Sequence, residues 1–255
     1  AYTYLRMADP FNLGAATAVS VVEQDKVRAL TCMCIEKGEK QFKVTDQKGE
    51  QLFIAVEDKD LCCQRCGCCC TRDFDVHLKK ESENSEFFYN YHVQRSFCTK
   101  FGCLDCCRVG IDVKDKSNAA IGTVGSDFQC CSCWPKFTVV DEKSTPRFIV
   151  QQDTHFCANC LCCGARSRRC CGIDCYIPAS LSIDPQPSGK RAPIIHQAGS
   201  RGANDDAYQV TFPEGCSVND KLLLVAATLC IDYRMYTAPS QQKMGEVHVG
   251  NSDGE

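Results

Sequence analysis

The sequence has no surplus of charge of either sign. Lys and Arg number 29 against 32 Asp and Glu, a net charge of −3, so it carries no electrostatic footprint for nucleic acid. It also lacks an apolar run long enough to cross a bilayer as a helix. The run in its strongest helix signal, Leu222–Ile231, covers ten residues and is followed at once by Asp232 and Arg234, where a span takes roughly 20. No nucleophile elbow, phosphate loop or dinucleotide fingerprint occurs. The five histidines, His77, His92, His155, His196 and His248, fall in separate segments. His155 lies close to Cys157, the pairing a cysteine nucleophile uses, but no catalytic motif accompanies it and an enzyme is not expected. No secretory leader pattern is visible from Ala1 onward. Reduced thiols in a cytosolic setting are therefore expected. Vicinal pairs such as Cys62-Cys63, Cys106-Cys107 and Cys170-Cys171 are poor disulfide partners for each other.

What the sequence has is cysteine, 24 in 255 residues. Hydrophobic and charged contents of 44% and 24% are ordinary, and the chain is long enough to build a core without cysteine staples. The thiols are clustered in Leu61–Cys70, Cys98–Cys107, Cys130–Cys133 and Cys157–Cys171, which hold 19 of the 24. Between the clusters run short alternating segments bounded by polar turns. Leu30–Gly38, Lys40–Asp46 and Gln51–Asp58 read as a meander. Asp73–Lys80, Phe87–Arg95, Val109–Asp115, Ala119–Asp127, Lys136–Asp141, Arg147–Gln152, Ile173–Ile183 and Ala192–Gln197 continue the pattern. The order is strand, polar turn, strand, cysteine connection. In an up-and-down antiparallel sheet, every second connection falls at the same end. The four cysteine clusters are therefore expected at one pole of the molecule.

Ser217–Pro239 reads as a helix over 219–236, with Ser217 and Asp220 as a capping box that uses Asp in place of Glu. It is apolar on every face, which at this length marks a buried core helix rather than a span. The fold expected is mainly β, a closed antiparallel barrel of about a dozen short strands around a buried C-terminal helix.

Several segments in order resemble the phospholipid scramblase family. They are KQFKVTDQKGEQLFIAVEDKDLCCQRCGCC, FCTKFGCLDCC, IGTVGSDFQCCSCWPKFTVVDEK, CANCLCCG and TFPEGCSVNDKLLLVAATLCIDYRMY. The resemblance spans 24–240 and implies one tubby-like barrel domain there. It leaves 1–23 as an N-terminal segment and 241–255 as a tail. It implies S-palmitoylation of Cys98, Cys103, Cys106 and Cys107, several chains being needed because one gives only marginal membrane binding. Gly102 and Leu104 stand where the family has further cysteines.

The resemblance also implies calcium at an EF-hand-like stretch, here Asn204, Asp205, Asp206 and Glu214. Glu214 falls one residue short of the bidentate position, and the residues between alternate as a strand does. From spacing alone, Cys63-x-x-Cys66 and Cys157-x-x-Cys160 have the form of two knuckles of a four-cysteine zinc site. The family's nuclear-import segment falls on GKRAPIIH (Gly189–His196), with only Lys190 and Arg191 basic.

The function implied is calcium-dependent movement of phospholipids in both directions between leaflets. It would operate at the cytoplasmic face of the plasma membrane or an endomembrane, with the phospholipid membrane as partner. The competing expectations are an acylated adaptor or lipid-binding regulator without transport, and a zinc-stabilised soluble interaction protein in cytosol or nucleus.

Overall fold

Most of the alternating segments are strands in the computed structural model. It describes residues 9–25, 40–57, 73–80, 85–95, 109–126, 136–152, 169–170, 173–174, 180–197 and 207–233. The first strands are β1 (Ala18–Asp25), β2 (Lys40–Asp46), β3 (Gln51–Glu57), β4 (Phe74–Lys79) and β5 (Phe87–Arg95). Then come β6 (Val109–Asp115), β7 (Ala120–Ser126), β8 (Lys136–Asp141) and β9 (Pro146–Gln152). A two-residue pair, β10 (Arg169–Cys170) and β11 (Ile173–Asp174), stands apart. The chain returns in β12 (Ser180–Pro185), β13 (Ala192–Gln197) and β14 (Ala207–Thr211). Twelve strands close into one antiparallel barrel, in the order β1-β14-β13-β12-β9-β8-β7-β6-β5-β4-β3-β2. In β6 the burial follows the pleat, with Val109, Ile111, Val113 and Asp115 inward. Closure leaves no unpaired edge.

Three of the hairpins share one turn chemistry. DQKGE, DKSNA and DEKST connect β2 to β3, β6 to β7 and β8 to β9. In each the first Asp closes a backbone pair with the fifth residue, as in Asp141 N to Thr145 O at 3.0 Å. Its carboxylate accepts the amide two residues on in the first and third, and the amide four residues on in all three. The fourth residue is left-handed: Gly49 at φ 83, Asn118 at φ 69 and Ser144 at φ 60. The ladders of these hairpins shift register beside the turns, as a type I turn followed by a left-handed bulge residue requires.

Only Gly49 adopts that conformation freely. Ser144→Gly should therefore stabilise the barrel by about 0.5–1 kcal/mol, and Asn118→Gly by less, because Asn tolerates the left-handed region. Thermal denaturation of the two variants checks this. A loss of stability in Ser144→Gly would mean that its side chain makes up for the strain.

The helix α1 (Val218–Ile231) fills the barrel, with Leu222–Ile231 buried on every side. Its capping box forms as the sequence indicates: Ser217 Oγ accepts from Asp220 N, and the Asp220 carboxylate accepts from Ser217 N. Arg147 of β9 adds two bonds to the same carboxylate, at 3.1 Å each. Midway along the barrel wall, Tyr91 OH donates to Leu222 O at 2.8 Å. Burial holds the Tyr91 phenol well above its ordinary pKa, so it stays a neutral donor.

Two boundaries differ from the sequence expectation. The division at 23/24 falls inside β1, which closes the barrel between β14 and β2. Ahead of it, Asp9–Thr17 lies across the end of the barrel with Phe11 and Leu13 buried. The Asp9 carboxylate accepts the amides of Phe11, Leu13 and Gly14 and so fixes the single 3-10 turn Leu13–Ala15. The expected strand Ile173–Ile183 is instead β11 and the start of β12. Leu30–Gly38 lies outside the described residues.

Candidate functional site at the cysteine-flanked end

Because the strands alternate in direction, the barrel has two unlike ends. One carries the hairpin turns already described, the strap Asp9–Thr17 and the start of α1. At the other end β3 finishes at Glu57 and β4 begins at Phe74. Arg95 and Val109 flank the next connection there, Ser126 and Lys136 the third, and Gln152 and Ser180 the fourth. These are the strand ends on either side of the four cysteine clusters. Apart from Cys170 in β10, the clusters, with Cys98, Cys103, Cys106 and Cys107 and with Cys63, Cys66, Cys157 and Cys160, lie outside the described residues.

The strands flanking the two zinc knuckles stand on opposite sides of the ring, β3 and β4 across from β9 and β12. Joining the knuckles in one site therefore requires their connections to arch over the mouth.

β14 starts at this same end, and Asn204, Asp205 and Asp206, which come before it in sequence, lie outside the described residues. Glu214 does not join them. It is exposed, in the turn beyond the far end of β14. The five strand residues between, at about 3.4 Å each, hold it on the opposite side of the barrel. As the alternation indicated, Ala207–Thr211 is strand, hydrogen-bonded to β1 and β13. A single contiguous calcium loop is thus not what this stretch forms.

Inside the mouth the packing changes from apolar to polar. Glu23, Glu57, Ser126, His196 and Asp232 are all buried at this end. Tyr208 OH donates to Asp232 Oδ1 at 2.8 Å, and Tyr233 OH donates to Glu57 Oε1 at 2.9 Å. The Cys230 thiol lies 3.6 Å from Val109 O. These bonds tie the last turn of α1 to the rim. Among the described residues no group of three His, Cys, Asp or Glu is placed to hold a metal ion.

Of the two cysteines whose side chains are described, neither is an available rim thiol. Cys230 is buried in the core, and Cys216 sits at the opposite end. Burial, with Asp220 adding to it, pushes the Cys216 thiol up to about 11, so it is not a thiolate near neutrality. Any thiol chemistry of the rim belongs to the connections.

The lumen is not a passage. The side chains of α1 and of the inward strand positions form one continuous apolar cluster. No helix of the described residues is long and apolar enough to cross a membrane. Sequence reasoning missed two side chains that tie the helix in place, Arg147 and Lys221. Lys221 looked like an ordinary polar first-turn residue, and nothing local signals that it is buried.

The chain is similar in sequence to known phospholipid scramblases. The chain is 27% identical over 209 residues to human phospholipid scramblase 1, covering 80% of the chain and 59% of that protein. For rat phospholipid scramblase 1 the identity is 23%, with 80% and 56% covered. For human phospholipid scramblase 2 it is 23%, with 76% and 60% covered. The chain thus spans about three-fifths of the length of these relatives. No solved structure matches it. The scramblase family model matches residues 9–169, from the strap through nine strands of the closed barrel, and the chain belongs to the scramblase family.

Proposed function

We propose that the chain is a membrane-associated, scramblase-like protein that moves phospholipids in both directions between leaflets in a calcium-dependent way. The observation that carries this reading is the family match over residues 9–169. Attachment would come from palmitate on Cys98, Cys103, Cys106 and Cys107, between the rim ends of β5 and β6. Several chains there meet the requirement that one acyl chain alone does not. This sets the cysteine-flanked end towards the cytoplasmic leaflet of the plasma membrane or an endomembrane. The calcium part rests on Asn204, Asp205 and Asp206, which lead into the rim end of β14 in sequence, and not on Glu214. No catalytic group is needed, and lipid would move along the disturbed bilayer beside the rim rather than through the filled lumen.

That filled lumen favours one other reading, an acylated adaptor or lipid-binding regulator without transport. The test is to purify the chain from eukaryotic cells and reconstitute it in vesicles carrying a fluorescent phospholipid. Access of a membrane-impermeant quencher is then followed with and without calcium. Calcium-stimulated flux supports transport, and its absence in vesicles that retain the protein supports the adaptor. The variant with Cys98, Cys103, Cys106 and Cys107 changed to serine should leave the membrane fraction. A parent that is soluble, unacylated and holds about one zinc per chain would instead favour the site formed by Cys63, Cys66, Cys157 and Cys160.

A further inference from the structure

The β8–β9 hairpin leaves its turn unlike its two sisters. After the left-handed residue the sisters carry Glu50 and Ala119, and this turn carries Thr145, followed by Pro146. Ser144, Thr145 and Pro146 are all exposed. Proline lacks an amide proton and biases the residue before it towards an extended conformation. The exposed Thr145 hydroxyl donates to the Asp141 carboxylate across the turn, a bond it must release, and an exposed hydroxyl before proline is the acceptor that a proline-directed kinase selects. Two residues on, in the irregular start of β9 where the ladder shifts register, is Arg147. Its guanidinium makes the paired bonds to Asp220 that support the helix cap.

We propose that Thr145 is a phosphorylation site for a proline-directed serine/threonine kinase, and that its phosphate draws Arg147 from Asp220. The kinase transfers the γ-phosphoryl group of MgATP. A bond forms between Thr145 Oγ1 and the γ-phosphorus, and the bond from that phosphorus to the bridging oxygen breaks. ADP leaves with the electron pair, and the hydroxyl proton passes to the base of the kinase.

A phosphothreonine carries roughly −1.5 to −2 charges and three strong acceptor oxygens. Its immediate neighbours Asp141 and Glu142 repel it, whereas Lys143 and Arg147 are the cations beside it. Arg147 is half-exposed, with a side-chain exposure of 42% against 6% for Asp220, so the guanidinium is the partner free to turn. Asp220 then keeps Ser217 alone, and the first turn of α1 loosens. The modification would thus convert an event on an outer turn into a change at the core helix. It stands on this turn and this ion pair and does not rest on lipid transport.

The test treats the folded chain, its Thr145→Val and Pro146→Ala variants, and a synthetic peptide spanning residues 136–152 with a purified proline-directed kinase and MgATP. Sites are mapped by mass spectrometry, and thermal melts verify that the variants fold. The expected result is phosphate on Thr145 of the folded chain, with Pro146→Ala largely unlabelled. Amides of residues 219–223 should then exchange with solvent several-fold faster than in the unmodified chain. Label on the peptide but not on the folded chain, or on neither, overturns the site. Full labelling with unchanged exchange in α1 overturns the coupling to Arg147.

Discussion

Gly122→Ala should lose about 3–5 kcal/mol of stability, and the barrel should melt roughly 10 °C lower. Gly122 lies on β7 where the strand passes closest to the helix. A β-carbon there would stand 2.2 Å from the carbonyl oxygen of Val140 and 3.0 Å from both methyl groups of Leu223. The first contact is with backbone of the neighbouring strand, which no rotamer change relieves. Relief requires β7 and β8 to part, or α1 to move off the wall it is packed against. Gly125, on the same strand, provides the control, because a β-carbon there meets nothing within 4 Å. Gly125→Ala should be neutral or slightly stabilising, by the usual entropy difference between glycine and alanine. Denaturant titration of both variants separates a collision from a general effect of removing glycine. A loss below about 1 kcal/mol in Gly122→Ala would show that the helix slides freely inside the barrel.

The second large effect is expected at Lys221. Its ammonium donates to Leu13 O at 3.1 Å and to Gly14 O and Ala16 O at 2.7 Å each. It also lies 5.5 Å from the centre of the Phe212 ring. Lys221 is 6% exposed, so these carbonyls have little water to fall back on. In Lys221→Ala the buried acceptors lose a charged donor and the strap loses its tie to the helix. A loss of about 3–5 kcal/mol follows. The methionine variant keeps the apolar stem and isolates the hydrogen-bonding part, at about 2–3 kcal/mol. Hydrogen exchange reads where the loss falls. Amides of Phe11–Ala16 should open before the strands do, because Phe11, stacked on Phe53 at 4.6 Å, is then the main remaining hold on the strap. Uniform loosening of the whole barrel would show that the strap has no separate stability.

These two residues also mark where reading the sequence stops. Strands such as Val109–Asp115 and Lys136–Asp141 were legible to the residue because alternation is a local signal of a half-buried wall. The capping box of Ser217 and Asp220 was legible for the same reason. Counting turns puts the strand ends that flank the four cysteine clusters at one end, and they lie there.

Other features had no local sign. Phe11 and Leu13 are buried only because a barrel end exists for them to cover. Lys221 is buried by carbonyls about 200 residues earlier in the chain. The likeness of DQKGE, DKSNA and DEKST is plain in the structure, yet the sequence shows only polar turns. The left-handed fourth position is hidden when asparagine or serine occupies it. Glu214 is a different case: the alternation of Ala207–Thr211 already indicates the strand that carries it to the far end, against the loop that the resemblance implies.

The number of crossings has a consequence for how the chain is threaded. Twelve strands are an even number, so the sheet alone would return the chain to the end where it began. The helix adds a thirteenth pass, about 21 Å long at about 1.5 Å per residue, and delivers Tyr233 to the opposite end. The fold is therefore polar in the sense of a bolt through a sleeve. A label joined ahead of Asp9 and one joined after Tyr233 report on opposite ends of the same domain. A pull between them draws the helix along its own axis through the ring, loading the Lys221 and Arg147 ties in shear before any strand pair is unzipped.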